Sequence, residues 1–210
     1  MATAPAGRPT SCITVVRDGV ARAIRRREAR HAVARIAGDI AAGGWFLDLG
    51  CGMGYVGALL EQRVGCRSVG CDVAVANEAL RRFCVFDGRR LPFRASAFHG
   101  AVLAFVLHHA RNPLALLREA ARVNAGPLFV FEDTPRTRAD RIWGRLHSRS
   151  FNRKHRIPWR GRVRDEAEWR MLFHRAGLRV LRADRLRRRE RFPPVARTMF
   201  VLLREDGSAG

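Results

Sequence analysis

An aspartate at the end of an apolar run, followed at once by glycines at every second position, sets a charge beside bare peptide groups. Residues 46–54 read Phe-Leu-Asp-Leu-Gly-Cys-Gly-Met-Gly, so Asp48 precedes Gly50, Gly52 and Gly54. Glycine has no Cβ and tolerates positive φ, so such a turn can bring its backbone against a ligand. The next segment, Tyr55 to Val64, is helix-like, and a helix N-terminus offers free N–H groups and the positive end of its dipole. A carboxylate at the mouth of that cradle suits a ligand with a cationic group and repels a pyrophosphate. The same residues contain a literal G-x-G-x-x-G, Gly52 to Gly57, with Asp72 twenty residues beyond Gly52, as a dinucleotide site would need. In that fingerprint the glycines follow the strand directly and meet phosphate. Here Asp48 stands two residues before the first glycine, which favours the cationic ligand over the dinucleotide.

Asp72 closes the apolar run Ser68–Cys71, and Asp87 closes Phe83–Phe86 just before Gly88. A single carboxylate at such a place is as readily a helix cap, but three at successive run ends point to a ligand. Downstream, Phe105-Val106-Leu107 leads into His108 and His109. Histidine titrates near neutral pH, so either ring is a candidate general base; the plain alternative is that one caps the turn and the other packs beneath it. His147 and His155 are weaker candidates.

These residues need a frame that delivers strand ends to one edge. Trp45–Leu49 is too short and too apolar for a surface helix and reads as a buried parallel strand. Ser68–Cys71, Phe83–Phe86, Ala101–Val106 and Leu128–Phe131 read as four more, the last closed by Glu132-Asp133. Upstream, Ile13 to Ala42 is helix-like, with Val16, Val20, Ile24, Val33 and Ile36 as inward positions. Further helices are expected at Tyr55–Val64, at Ala74–Arg82, and from Pro113 to Val123 with Asn112 as cap. Asp165 is expected to cap a helix through Ala176 that Gly177 stops. Leu178–Leu181 and Thr198–Leu203 read as closing strands, with Pro193-Pro194 between them and too little chain for a helical crossover, so that pair is antiparallel. The alternation predicts an α/β fold: a Rossmann-like, doubly wound, mostly parallel seven-stranded sheet with an antiparallel last strand and helices on both faces. Such sheets bind ligands beyond the carboxyl ends of their strands, where strand order reverses.

Length and composition narrow the classes. At 210 residues and 47% apolar content the chain suits one globular domain. No apolar run approaches the ~20 residues of a membrane span, and Met1 to Thr10 lacks a basic-then-apolar export pattern, so a cytoplasmic protein is expected. The five cysteines (Cys12, Cys51, Cys66, Cys71, Cys84) form no C-x-x-C and have no histidine at zinc-ligand spacing, so free thiols and no metal are expected. The formal charge is +21, and 39 of the 40 basic residues are arginine, Lys154 being the exception. Arginines cluster at 25–27, 136–164 and 185–191. So basic a domain attracts polyanions, whether RNA, an anionic membrane surface or an acidic substrate; a solvated face reflecting coding bias is the plain alternative. The stretch Thr134–Arg164 interleaves arginine with Trp143, Phe151 and Trp159 and reads, with the N-terminal residues, as a substrate lid.

The run Phe46 to Gly54 resembles motif I of the class I S-adenosylmethionine-dependent methyltransferases. The string Asp87-Gly88-Arg89-Arg90-Leu91-Pro92-Phe93, followed by Ser96-Ala97-Phe98-His99-Gly100-Ala101-Val102, is similar to the third-strand region of the type 11 methyltransferase family. Phe105-Val106-Leu107-His108-His109 and Leu117-Arg118-Glu119-Ala120-Ala121-Arg122-Val123 resemble the C-methyltransferases of ubiquinone and menaquinone synthesis. His99 stands where that family has an aspartate, which is expected to loosen the start of the fourth strand. The resemblance implies S-adenosyl-L-methionine as cofactor, with Asp48 on the methionine amino group and Gly50 and Gly52 against its backbone. It implies Asp72 on the ribose hydroxyls, and Asp87 with the Gly88 amide on adenine. Cys51, Gly54, Val73, Phe105 and Val106 complete the implied cofactor set, and His108 or His109 would serve as base.

The implied organisation is a basic helical cap over residues 1–44, a methyltransferase domain over 45–133 and 165–205, a lid over 134–164 and a frayed tail over 206–210. The function expected is methyl transfer to a small acceptor, quinone-like, lipid-like or anionic aromatic. RNA methylation and a non-catalytic scaffold are the alternatives. A location in the cytoplasm or at the inner membrane surface goes with it.

Overall fold

The computed structural model describes residues 12–144, 146, 162–186 and 195–205. Seven strands form one sheet: β1 (Trp45–Leu49), β2 (Arg67–Asp72), β3 (Phe83–Val85), β4 (Gly100–Ala104), β5 (Leu128–Asp133), β6 (Leu178–Arg185) and β7 (Arg197–Arg204). Their order is β3-β2-β1-β4-β5-β7-β6. The first five are mutually parallel, and β7 runs antiparallel to both β5 and β6. The order reverses between β1 and β4, so a doubly wound sheet of this kind opens its crevice beside the glycine turn. The expected α/β architecture is present, antiparallel closing strands included.

The apolar runs explain which strands are central. Every residue of β5 is buried, as a strand covered on both faces requires. One face is closed by α1 (Cys12–Ile36) and α2 (Tyr55–Val64), where Ala32, Val33, Ile36 and Leu60 pack on Phe46, Val102, Phe129, Phe131 and Val201. The other is closed by α3 (Pro113–Val123) and α4 (Glu166–Arg175), where Leu117, Ala120, Trp169 and Phe173 pack on Leu47, Leu103, Val130 and Leu202. Helix starts follow their signals. Asn112 accepts the Ala115 N–H ahead of Pro113, and Asp165 with Glu168 forms a reciprocal capping box.

The fourth strand ends at Ala104 and not at Val106, and three further expectations need correction. Ala74–Arg82 is not a helix but a series of bends between β2 and β3. The Asn77 side chain accepts the Leu80 N–H at 3.0 Å and donates to the Leu80 carbonyl oxygen at 2.7 Å, giving the backbone a local turn in place of a helix. Val20 points outward, 56% exposed, because the buried stripe of α1 is Ala29, Ala32, Val33 and Ile36. Nine residues before Ala29, Val20 sits roughly half a turn from that stripe at 100° per residue. His99 does not loosen β4: its Nδ1 accepts the Trp45 N–H at 3.1 Å and its own N–H donates to the Trp45 carbonyl oxygen, tying the starts of β1 and β4 together. Val33 and Ile36 are fully buried as expected. Val16, His147, His155, Phe151, Trp159, Pro193-Pro194 and the tail 206–210 lie outside the described residues or side chains.

Candidate functional site

The crevice is built from strand ends. Asp48, in β1 and 1% exposed, directs Oδ2 to the Gly57 N–H at 2.9 Å, in the first turn of α2, and so caps a helix it does not belong to. Burial pushes its carboxyl up to about 7, the Gly57 N–H pulls it back and the nearby Asp72 charge adds to the rise. Asp72, the last residue of β2, accepts the Gly52 N–H at 2.8 Å on Oδ2 and the Ala74 N–H at 3.1 Å on Oδ1. One carboxylate therefore shapes both the glycine turn and the bend that follows β2. Asp87 is exposed, and the N–H groups of Arg90 and Arg89, both on Oδ1, hold its carboxyl below the usual carboxylate range.

The glycines divide by role. Gly50 (φ +71°) lies under Val106, whose side chain a Cβ would overlap, and Gly54 (φ +77°) is pressed in the same way by Asn77. Gly52 (φ +51°) faces open space, with nothing within 4 Å of a Cβ built there. The bend 73–82 is fixed to the turn, since the Met53 carbonyl oxygen accepts the N–H groups of Glu78 and Ala79. The Glu78 carboxylate in turn accepts from the Tyr55 hydroxyl and from Arg22 of α1. Val73 is 49% exposed at the tip of β2, beside Gly88. Cys51 is half-buried, and burial with the charges of Asp48 and Asp72 pushes its thiol well up, which denies it thiolate reactivity. Cys71 and Cys84 face each other across β2 and β3 with sulfurs 3.2 Å apart, both as free thiols.

Beyond β4 the chain turns sharply. Phe105 has φ +61°, Val106 covers Gly50, and Leu107–His109 form one 3-10 turn. Glu132, fully buried in β5, accepts the Leu107 N–H at 2.7 Å and holds His108 Nδ1 at 2.6 Å. Burial pulls the His108 imidazole down, but the Glu132 charge and hydrogen bond, with the Asp133 charge, outweigh it, and the net direction is up. His109 is half-buried, its ring centroid 3.9 Å from that of His108.

Next to this pair Arg197 (4% exposed) donates to Asp133 at 2.9 Å and to Glu28 of α1 at 3.0 Å. Sequence reasoning took Glu132-Asp133 only as a strand end and passed over Arg197 and Glu28. Two carboxylates closing a wholly apolar strand were the available signal for the first pair. Nothing distinguished Arg197 among 39 arginines.

Strand ends thus bring Asp48, Asp72, the glycine turn and Val106 together, with Asp87 and Gly88 at the outer rim and the histidine pair at the inner one. The donor set fits an adenosyl amino acid: carboxylates for an amino group and for vicinal hydroxyls, a bare peptide at Gly52, and no cationic side chain within the turn to favour phosphate. Among the described residues, no group of three or more His, Cys, Asp or Glu is arranged to hold a metal ion, and no helix is long and apolar enough to cross a membrane.

This strand order with carboxylates at its first three tips defines a Rossmann-like class I S-adenosylmethionine-dependent methyltransferase fold. The chain belongs to the methyltransferase domain family, whose model matches residues 21–183. No curated protein matches it in sequence. Among solved structures, it is similar to a chain of the complex between the Trm112 methyltransferase activator of Haloferax volcanii and a methyltransferase, at 21% identity and TM-score 0.69 over 90% of this chain and 94% of that one. It is also similar to the 1,6-didemethyltoxoflavin-N1-methyltransferase of Burkholderia thailandensis, at 16% identity and TM-score 0.65 over 98% and 94%. The magnesium protoporphyrin IX methyltransferase of Synechocystis PCC 6803 resembles it at 16% identity and TM-score 0.63 over 95% and 90%. At these identities the likeness concerns the fold.

Proposed function

We propose that this protein binds S-adenosylmethionine in the crevice between β1 and β4 and transfers its methyl group to a small-molecule acceptor. The observation that carries the reading is the pair of strand-end carboxylates beside the glycine turn, Asp72 on the Gly52 N–H and Asp48 on the Gly57 N–H of α2, around a Gly52 that faces open space. Asp48 would take the amino group, Asp72 the ribose hydroxyls, and Asp87 with Gly88 and Val73 the adenine, while Cys51, Gly50 and Gly54 shape the turn and Phe105-Val106 close its side. When bound, the cofactor would supply an electrophilic methyl group on a cationic sulfonium. The residues around it then have one main task, to align the acceptor, and alignment alone can lower a barrier by roughly 7–11 kcal/mol.

Where the acceptor must lose a proton, His109 is the group we assign to take it. His108 is committed to Glu132, and its raised pKa suits an imidazolium that holds the turn. Two of the similar structures are named for methylation of small molecules, 1,6-didemethyltoxoflavin and magnesium protoporphyrin IX, which supports the acceptor class. RNA is the second reading, drawn from the exposed arginines Arg22, Arg26 and Arg30 along α1.

Calorimetry with S-adenosylhomocysteine tests the cofactor, and no heat of binding would leave a scaffold. Labelled donor incubated with lipid, RNA and polar metabolite fractions tests the acceptor. Label in the RNA fraction alone would overturn the small-molecule reading.

A further inference from the structure

Phe105 has a left-handed backbone, which a bulky side chain keeps only where its surroundings impose it. It directly follows β4, and its N–H still donates to the Phe131 carbonyl oxygen at 2.8 Å, so pairing with β5 persists through the bend. The bend has consequences for each following residue. Val106 is laid over Gly50, and Leu107 and His108 are turned toward Glu132. The wall beside the glycine turn therefore depends on one unfavourable torsion.

Arg197 is the group placed to hold it. Its guanidinium carbon lies 4.1 Å from the Phe105 ring centroid, closer than the other arginine–aromatic contacts among the described residues, at 5.1 to 6.0 Å. The guanidinium is itself fixed, with Nε on Asp133 Oδ1 and Nη1 on Glu28 Oε1, partners 64 and 169 residues away in sequence. With its charge met by two carboxylates, Arg197 is not poised to capture an anionic ligand; the flat face of the guanidinium is what it presents to the ring.

We propose that Arg197 is a positioning residue that clamps Phe105 in its left-handed conformation and so sets the Val106–His109 wall against the cofactor turn, while Glu28 ties α1 to the same clamp. This rests on reading that wall as one side of a methyltransferase site.

A double-mutant cycle tests it. Arg197→Lys keeps a positive charge for Asp133 and Glu28 but loses the planar face, and Phe105→Gly removes the ring and makes the left-handed torsion free. Amide hydrogen exchange at Leu107 reports the wall whether or not a cofactor binds. Arg197→Lys alone is expected to speed that exchange about tenfold, and to weaken S-adenosylhomocysteine in parallel. In the Phe105→Gly background the same change is expected to alter exchange by less than about twofold, because no clamp is then needed. Equal acceleration in both backgrounds would show general support of the fold and overturn the proposal. If wild type fails to bind S-adenosylhomocysteine, the functional reading falls, yet the exchange cycle still judges the clamp.

Discussion

At the scale of single residues, Asp48 carries a pH dependence whose sign follows from its surroundings. Its carboxyl titrates near 7 in the folded chain against an ordinary value of 3.8. A folded-state pKa above the unfolded one means that the native state binds the extra proton. The stability Asp48 contributes is complete below pH ~4 and is lost as pH rises through about 7. His108, raised by Glu132, acts in the same sense: its contribution is present below an unfolded value of about 6.5 and fades as pH rises through its folded one. The thermal midpoint of the free protein should therefore fall between pH 5 and pH 8, and fall less in Asp48→Asn, whose amide oxygen can still accept from Gly57. A cationic ligand favours the ionised carboxylate, so its binding at pH ~6.5 should release a proton, measurable as a buffer-dependent heat in calorimetry. Asp48→Asn should abolish that release. The histidines divide similarly. His109→Gln should lower kcat for a protonated acceptor and cost less stability in denaturant melts than His108→Gln. His108→Gln leaves Glu132 buried without its cation and should cost about 3 kcal/mol of stability.

Elements show why some of this was readable in the sequence and some was not. Helix ends declare themselves over three or four residues, and Asn112-Pro113 and Asp165 with Glu168 were legible for that reason. The strand tips were legible because three carboxylates close three successive apolar runs, and Asp48, Asp72 and Asp87 lie where those runs placed them. The bend 73–82 was not, because it is decided by one side chain, Asn77, closing on Leu80, and by its fit against Gly54. The clamp of Arg197, Asp133 and Glu28 was invisible because it joins α1, β5 and β7, and no local pattern marks such a pairing. Gly54 tests the element account. At φ +77° an alanine costs about 1–2 kcal/mol in backbone energy alone, and its Cβ would also displace Asn77. Gly54→Ala should therefore destabilise the protein by roughly 2–4 kcal/mol in denaturant melts and loosen the bend. Asn77→Ala should loosen the bend without the backbone cost.

Across the whole molecule, charge is sorted by depth. The net charge is +21, and among the described residues every arginine but Arg197 is exposed or half-buried, whereas the crevice collects Asp48, Asp72, Glu132 and Asp133 beside the buried Arg197. A cationic ligand meets repulsion at the shell and attraction at the floor, and salt separates the two. Exposed charges are screened beyond about 10 Å at 0.1 M salt, while buried ones are screened far less. An analogue carrying an amine in place of the methylsulfonium should therefore bind about tenfold tighter than S-adenosylhomocysteine, whose sulfur is uncharged, since one extra charge near these carboxylates is worth roughly 1–2 kcal/mol. Its affinity should hold or rise from 50 to 300 mM salt as the shell is screened. An RNA ligand should weaken steeply over the same range, because each phosphate met by arginine releases a counterion. Titrating both ligands against salt places the functional charge. If the amine analogue loses affinity in step with RNA, the exposed arginines and not the strand-end carboxylates govern the crevice, and the assignment of Asp48 and Asp72 to a cationic cofactor fails.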